Sequence, residues 1–161
     1  MLAFWGILAA VAVLDRAVKL WAGAALKVGE SLVAIGGLLE LRYTQNRGMA
    51  LGFLAGQWLA NLALPVAAVV VWVLLGRRYE PTRYKSAASA LMLGGFVGNF
   101  LDRLLFGYVV DMIYFPWLPW FVCNVADIAI CAGVVMLVVS LLFRPQDWRE
   151  KHGEDERGSA A

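Results

Sequence analysis

The sequence predicts an all-α membrane protein of four transmembrane helices, and three observations carry that prediction. Of its 161 residues 61% are hydrophobic and only 16% charged, with a mean hydropathy of +0.70, which is more apolar surface than one soluble core of this size can hide. Residues 58 to 76 (WLANLALPVAAVVVWVLLG) run for nineteen residues without a charge, about what a hydrocarbon core of ~30 Å requires at ~1.5 Å per residue. The basic residues gather in alternate connections, as they do in oriented multi-span proteins.

The first span covers residues 2 to 22 and is interrupted by Asp15, Arg16 and Lys19. It lacks a basic leading region and a small-residue cleavage site, so a retained helix is expected rather than a removed signal peptide. Residues 23 to 57 form a long connection. Within it LELRYT (39 to 44) alternates as a half-exposed strand should, Asn46-Arg47-Gly48 reads as a turn, and 49 to 56 as a short apolar element on the membrane surface. The second span is 58 to 76. Residues 86 to 101 and 128 to 143 are two further uncharged runs, each extendable at one end, and they supply the third and fourth spans. From residue 146 onward, mixed charge ending in Gly, Ser and Ala predicts a solvated, disordered tail. The chain therefore divides into a transmembrane domain, 1 to 145, and a tail, 146 to 161.

Orientation follows from the same residues. RRYEPTRYK (77 to 85) holds four Lys or Arg and the stretch 144 to 161 four more, whereas 107 to 126 has none and 23 to 57 only Lys27, Arg42 and Arg47. The positive-inside rule places both termini and the 77 to 85 loop in the cytoplasm and the other two connections outside.

Depth can then be assigned to each intramembrane polar group. Counted from Lys85, Asn99 lies roughly 21 Å up, Arg103 roughly 27 Å, and Asp111 roughly 39 Å on a straight helix, which Gly107 is expected to end or bend. Counted back from Arg144, Asp127 lies roughly 26 Å up the fourth span. Asp111 and Asp127 thus converge on the outer membrane boundary from different elements. Ionisable groups at such depth cost about 2.5 to 3.5 kcal/mol each on insertion scales and face a bundle interior or a wet cavity. Each has a plainer reading. Asp15 and Lys19, four residues apart, can simply neutralise one another. Asp102 and Arg103 can clamp a helix end, although an Arg fork can also hold a peptide carbonyl. Asp111 and Asp127 can be interfacial carboxylates. Gly94 and Gly98 form a small-xxx-small step for close helix approach.

Other reactive groups compete poorly. The single histidine, His152, lies in the charged tail, which leaves no His-based triad or His-containing metal site. Cys123 and Cys131 lack metal spacing and are too far apart along one helix to bridge, so both read as packing residues. Ser31 with Lys27 is a loop pair without a supporting motif. Two acids in one low-dielectric site cannot both ionise easily; one stays protonated while the other takes a proton from water. That is the division of labour of an aspartic protease acting on a substrate within the membrane. A small proton-coupled transporter is the alternative, in which such carboxylates relay protons, although no inverted repeat is visible and the acids gather near one face. A purely structural subunit would leave the acid pair unexplained.

The segments NRGMALGF (46 to 53), GGFVGNFLDRLLFGYVVD (94 to 111) and CNVADIAI (123 to 130), with the D-x-x-x-K of Asp15 and Lys19, resemble the motifs of the bacterial lipoprotein signal peptidases. The resemblance covers residues 1 to about 145. It implies four transmembrane helices with a small extracytoplasmic β-cradle and a half-helix between the first two spans. It implies Asp111 and Asp127 as the catalytic pair and Asn46, Asn99, Arg103 and Asn124 as substrate-binding residues, with Asp15, Lys19, Gly48, Gly98 and Asp102 in support. The implied reaction removes the signal peptide from diacylglyceryl-modified prolipoproteins on the amino side of the lipidated cysteine, at the extracytoplasmic face of the bacterial inner membrane. No cofactor, metal or nucleic acid is expected; the expected partners are prolipoprotein substrates and membrane lipid, and the expected state is a monomer. Met49, Cys123 and Ile128 depart from the usual residues of that pattern and bear on pocket shape.

Overall fold

The computed structural model describes residues 1–48 and 57–151. The apolar element expected at 49 to 56, Met49 included, and the tail from residue 152 lie outside them. Four long helices dominate: α1 (Leu2–Ala25), α2 (Trp58–Gly76), α3 (Arg83–Phe106) and α4 (Val125–Phe143). Three of them, Leu59–Gly76, Arg83–Phe106 and Val125–Phe143, are long and apolar enough to cross a membrane. α1 is equally long but carries Asp15, Arg16 and Lys19.

The helices are packed inside out. On α1 the buried residues are Asp15, Lys19 and Ala22, while Trp5, Val13, Leu14, Leu20 and Trp21 are exposed. α2 likewise exposes Leu59, Leu64, Val70, Val71, Leu74 and Leu75. Apolar surface this continuous is stable only against lipid. α3 is central because its inward face is small: Ala88, Ala90, Gly94, Gly95 and Gly98 are buried along it. A Cβ on Gly94 would lie 2.9 Å from the Leu8 carbonyl of α1, and one on Gly95 would collide with the Ala126 carbonyl of α4. With no hydrophobic drive between helices in lipid, such close approach is what dispersion and polar contacts require.

The sheet corrects the sequence reading, which expected an all-α chain with a cradle confined to the connection between helices 1 and 2. Four antiparallel strands in the order β1-β2-β3-β4 are drawn from two connections: β1 (Ser31–Ile35) and β2 (Leu39–Asn46) follow α1, and β3 (Val109–Tyr114) and β4 (Val122–Cys123) follow α3. Gly107 caps α3 in the left-handed region at φ 74°, a conformation that costs an L side chain and nothing to Gly. The chain then turns into β3, where Asp111 pairs in register with Thr44. Both faces of β3 are covered, so it shows no alternation to read. Val110 and Met112 pack with Ala22 in a small core beneath Val18, Tyr43, Tyr108 and Ile113.

The tail also differs from expectation at its start. Pro145–Trp148 is a 3-10 helix, and Glu150 bridges Tyr79. Asp147 is buried and holds this turn, accepting from Ser140 Oγ and from Arg144 Nε, both at 2.7 Å. Those two donors, Arg144 first, keep its carboxyl down at about 2.

Candidate active site

Asp127 occupies the first turn of α4, three residues after Asn124, and the two form a reciprocal capping box. Asn124 Oδ1 accepts from the Asp127 amide at 2.9 Å, and Asp127 Oδ2 accepts from the Asn124 amide at 3.2 Å. Because its oxygen is committed to the helix, Asn124 must present its NH2 outward. That group donates to Asp111 Oδ1 at 2.6 Å. One asparagine therefore holds both aspartates, one from a strand and one from a helix.

The other Asp111 oxygen accepts from Asn46 Nδ2 at 3.0 Å. Asn46 is oriented in the same manner, its Oδ1 taking the Gly48 amide at 2.9 Å. Asp111 is 2% exposed. Burial first, and the charge of Asp127 second, push its carboxyl up to about 7 against the lowering effect of the Asn46 and Asn124 amides. The Asp111 carboxyl therefore keeps its proton well above the ordinary carboxylate range.

Behind the pair stands a buried charge cluster. Lys19 is 2% exposed; its ammonium forms ion pairs with Asp15 Oδ2 at 2.7 Å and Asp102 Oδ2 at 2.9 Å and donates to Asn99 Oδ1 at 2.9 Å. Arg16 adds a second cation to Asp102 at 3.0 Å. Both carboxylates also hold backbone: the Asp15 oxygen turned away from Lys19, Oδ1, accepts from the Ala126 amide at 2.9 Å, and Asp102 Oδ2, already paired with Lys19, accepts from the Val110 amide at 3.2 Å. Two aspartates, a lysine and an arginine so tie α1 to α3, to the strand of Asp111 and to the helix of Asp127. Asp15 and Lys19 do neutralise each other, and the same lysine also sets Asn99: facing a pure donor, Asn99 turns its oxygen to Lys19 and its NH2 to Asp127 Oδ1 at 2.7 Å.

Asp102 and Arg103 diverge from the helix-end clamp. Asp102 faces Lys19 and Arg16, while the Arg103 guanidinium donates to the Gly48 carbonyl at 3.2 Å and the Asn99 carbonyl at 3.4 Å. Gly98 lies against Asp15, whose Oδ2 would be 2.5 Å from a Cβ there. Ser31 accepts from Arg42 Nε at 2.9 Å. Cys123 is buried beside the acids; burial, then the charges of Asp127 and Asp111, push its thiol up to about 12, and Cys131 is exposed. Among the described residues no group of three or more His, Cys, Asp or Glu could hold a metal ion.

Two participants escaped the sequence reading. Arg16, in sequence only an interruption of the first span, pairs with Asp102, and its i, i+3 spacing from Lys19 is the signal for it. Asn61, 3% exposed, donates to the Arg47 carbonyl at 3.1 Å; as an amide within the uncharged run 58 to 76 it was visible. Asn61 also borders a cleft of about 710 Å3 between α2, α3 and α4, whose walls include Leu64, Phe96 and Phe100 and whose polar end includes Asn99, Arg103 and Asp127.

Residues 7–143 match the family described as Signal peptidase (SPase) II. Among curated relatives, the lipoprotein signal peptidase of Geobacillus kaustophilus (strain HTA426) is 40% identical over 148 residues, covering 88% of this chain and 94% of its own. That of Syntrophomonas wolfei is 37% identical over 141 residues, covering 86% and 93%. A solved bacterial membrane enzyme structure, obtained by the in meso method, superposes with a TM-score of 0.79 at 25% identity, covering 92% of this chain and 93% of the other.

Proposed function

Because the chain belongs to the signal peptidase II family, we propose that it removes the signal peptide from lipid-modified prolipoproteins and that Asp111 and Asp127 are its catalytic acids. Family membership supports hydrolysis of a peptide bond, and nothing supports the carrier reading. The observation that carries the site assignment is Asn124, which caps α4 at Asp127 with one end of its amide and donates to Asp111 with the other.

In this reading the pair holds one proton. The ionised member takes a proton from a water whose oxygen attacks the scissile carbonyl carbon, while the neutral member donates to the carbonyl oxygen. The tetrahedral diol then collapses: the C–N bond breaks, the nitrogen leaves with a proton and the acid pair regains its starting state. Asn46 and Asn124 fix the Asp111 carboxyl on both oxygens, and Asn99 fixes Asp127, so little reorganisation accompanies proton transfer. The apolar cleft between α2, α3 and α4 suits the signal helix. Arg103, which holds a carbonyl of its own chain, suits the substrate backbone as its fork is planar and always charged.

α1 serves as a fourth span, since its charges turn inward and its apolar face outward. The basic 77 to 85 loop supports an orientation with both termini in the cytoplasm and with the sheet and acid pair at the extracytoplasmic face of the bacterial inner membrane. The unit 1 to 145 acts as a monomer, with lipid around it and no cofactor. The test is incubation of purified protein in detergent with a diacylglyceryl-modified precursor. Release of the peptide on the amino side of the lipidated cysteine supports the proposal; an intact precursor, or equal cleavage of an unlipidated one, contradicts it.

A further inference from the structure

A second concave site lies at the far end of the helices from the acid pair. Lys85 in the first turn of α3 and Arg103 in its last are roughly 27 Å apart along the axis. A pocket of about 300 Å3 opens beside Lys85; its lining includes Arg77, Lys151, Ser86, Ser89 and the rings of Trp72 and Trp148, and no acidic residue contributes to it. Phe4, Val73 and Leu93 continue its wall as apolar surface.

Lys85 is 7% exposed, yet among the described residues no carboxylate lies within ion-pair distance of it. Its ammonium donates to two neutral carbonyls, Glu80 at 2.7 Å and Asp147 at 2.6 Å, and lies 5.4 Å from the Tyr79 ring and 5.3 Å from the Trp148 ring. The buried acid Asp147 spends its Oδ2 on Ser140 and Arg144, and its charge acts on Lys85 from beyond ion-pair distance. One of the three ammonium protons therefore remains for a further acceptor. A buried cation with neutral partners, beside two more cations and two hydroxyls, is an electrostatically unfinished site. The pocket is held open by covalently distant pieces: the segment after α4 bonds to the loop after α2, with Glu80 N to Arg149 O and Lys151 N to Arg78 O both at 2.9 Å. Trp148 stands edge-on to Trp72 and Tyr79, an aromatic cluster of the kind found at a membrane interface.

We propose that this pocket binds an anionic phospholipid, its phosphate received by Lys85, Arg77 and Lys151 and its acyl chains following the apolar wall into the bilayer. Polar at one end and greasy at the other, the lining matches a lipid better than a free anion, and basic pockets between membrane helices are known places for such headgroups. The inference rests on the membrane orientation given above, in that the basic end must lie at the interface, and it is independent of the chemistry at Asp111 and Asp127.

The experiment is native mass spectrometry and thermal unfolding of the delipidated full chain titrated with phosphatidylglycerol, phosphatidylcholine or inorganic phosphate. Phosphatidylglycerol is expected to bind one equivalent and raise Tm, with phosphatidylcholine weaker by roughly tenfold or more. Arg77→Gln with Lys151→Gln, both exposed positions, should weaken binding by roughly tenfold. Ser89→Leu, which fills the pocket and keeps every charge, should abolish the bound equivalent. Arg83→Gln, an exposed cation outside the lining, should change nothing. Equal effects of Arg83→Gln and the pocket pair, equal binding of phosphatidylcholine, or inorganic phosphate binding as tightly as the lipid would each overturn the proposal. Cleavage of a lipidated precursor measured on the same samples separates this pocket from the catalytic reading: lost binding with normal cleavage bears on the pocket alone.

Discussion

Lys19 reaches Asn99 Oδ1 at 2.9 Å from inside the bundle, and the same Asn99 presents its NH2 to Asp127 at 2.7 Å. A charge on the first helix thereby orients a carboxylate on the fourth. Lys19→Met removes the cation and leaves Asp15 and Asp102 buried with Arg16 alone, so it should destabilise the protein by about 3 to 5 kcal/mol. Thermal unfolding in detergent checks this; an unchanged Tm would remove Lys19 from the framework.

Gly98 offers a test of close packing. Alanine in a helix gains up to about 1 kcal/mol over glycine, but a Cβ here would sit 2.5 Å from Asp15 Oδ2, and overpacking costs about 1 to 3 kcal/mol. The clash wins, so Gly98→Ala should lower Tm. Gly107→Ala should also lower it through its left-handed φ of 74°, without touching the ion cluster. A stabilised Gly98→Ala would contradict the packing given for α1 against α3.

Thiol chemistry should be irrelevant. With its thiol pushed up to about 12, Cys123 is protonated at neutral pH and is no nucleophile, although it lies beside the acids. Cleavage should survive maleimide and Cys123→Ala alike, and should survive chelators. Loss of turnover in a chelator, restored by zinc, would replace the acid-pair account with a metal one.

Asp111 links pH to both stability and rate. Its carboxyl rises from 3.8 to about 7 on folding, so between those values the folded state binds more protons than the unfolded. Stability therefore falls as pH rises through this window, by at most about 4 kcal/mol, and Asp111→Asn should flatten the fall. Cleavage should decline as pH climbs past about 7 and the shared proton is lost. A rate that increases steadily into the alkaline range would contradict a proton on the pair.

Much of this was legible because lipid imposes simple rules. Length and hydropathy marked α2, α3 and α4, and helical rise brought Asp111 and Asp127 to one boundary. The β-ladder of Leu39–Asn46 with Val109–Tyr114 was half legible: β2 alternates, but β3 is buried on both sides and reads as one more apolar stretch. The amide network was hidden for another reason. Whether Asn124 caps a helix, binds an acid or does both depends on contacts 13 to 25 residues away, which no local pattern encodes. The order at Pro145–Trp148 is not legible locally, because Asp147 reads as one more charge in a polar tail while its partner Ser140 lies seven residues back in α4.

The most direct test is turnover of a lipidated precursor by Asp111→Asn and Asp127→Asn, each with its thermal stability. Asparagine keeps the size and hydrogen-bonding reach of aspartate and removes its ability to ionise. If the two acids act as a unit, as proposed, either change alone should abolish most cleavage, by about 10^3-fold or more, and the double variant should lose little further. Each variant also turns an NH2 toward a donor that the carboxylate accepted from, Asn46 or Asn124 at Asp111 and Asn99 or the Asn124 amide at Asp127, so it should fold but lose about 1 to 3 kcal/mol of stability. Near-parental turnover in either single variant would show that Asp111 and Asp127 are interfacial carboxylates joined by Asn124, and that the peptide bond is cut elsewhere.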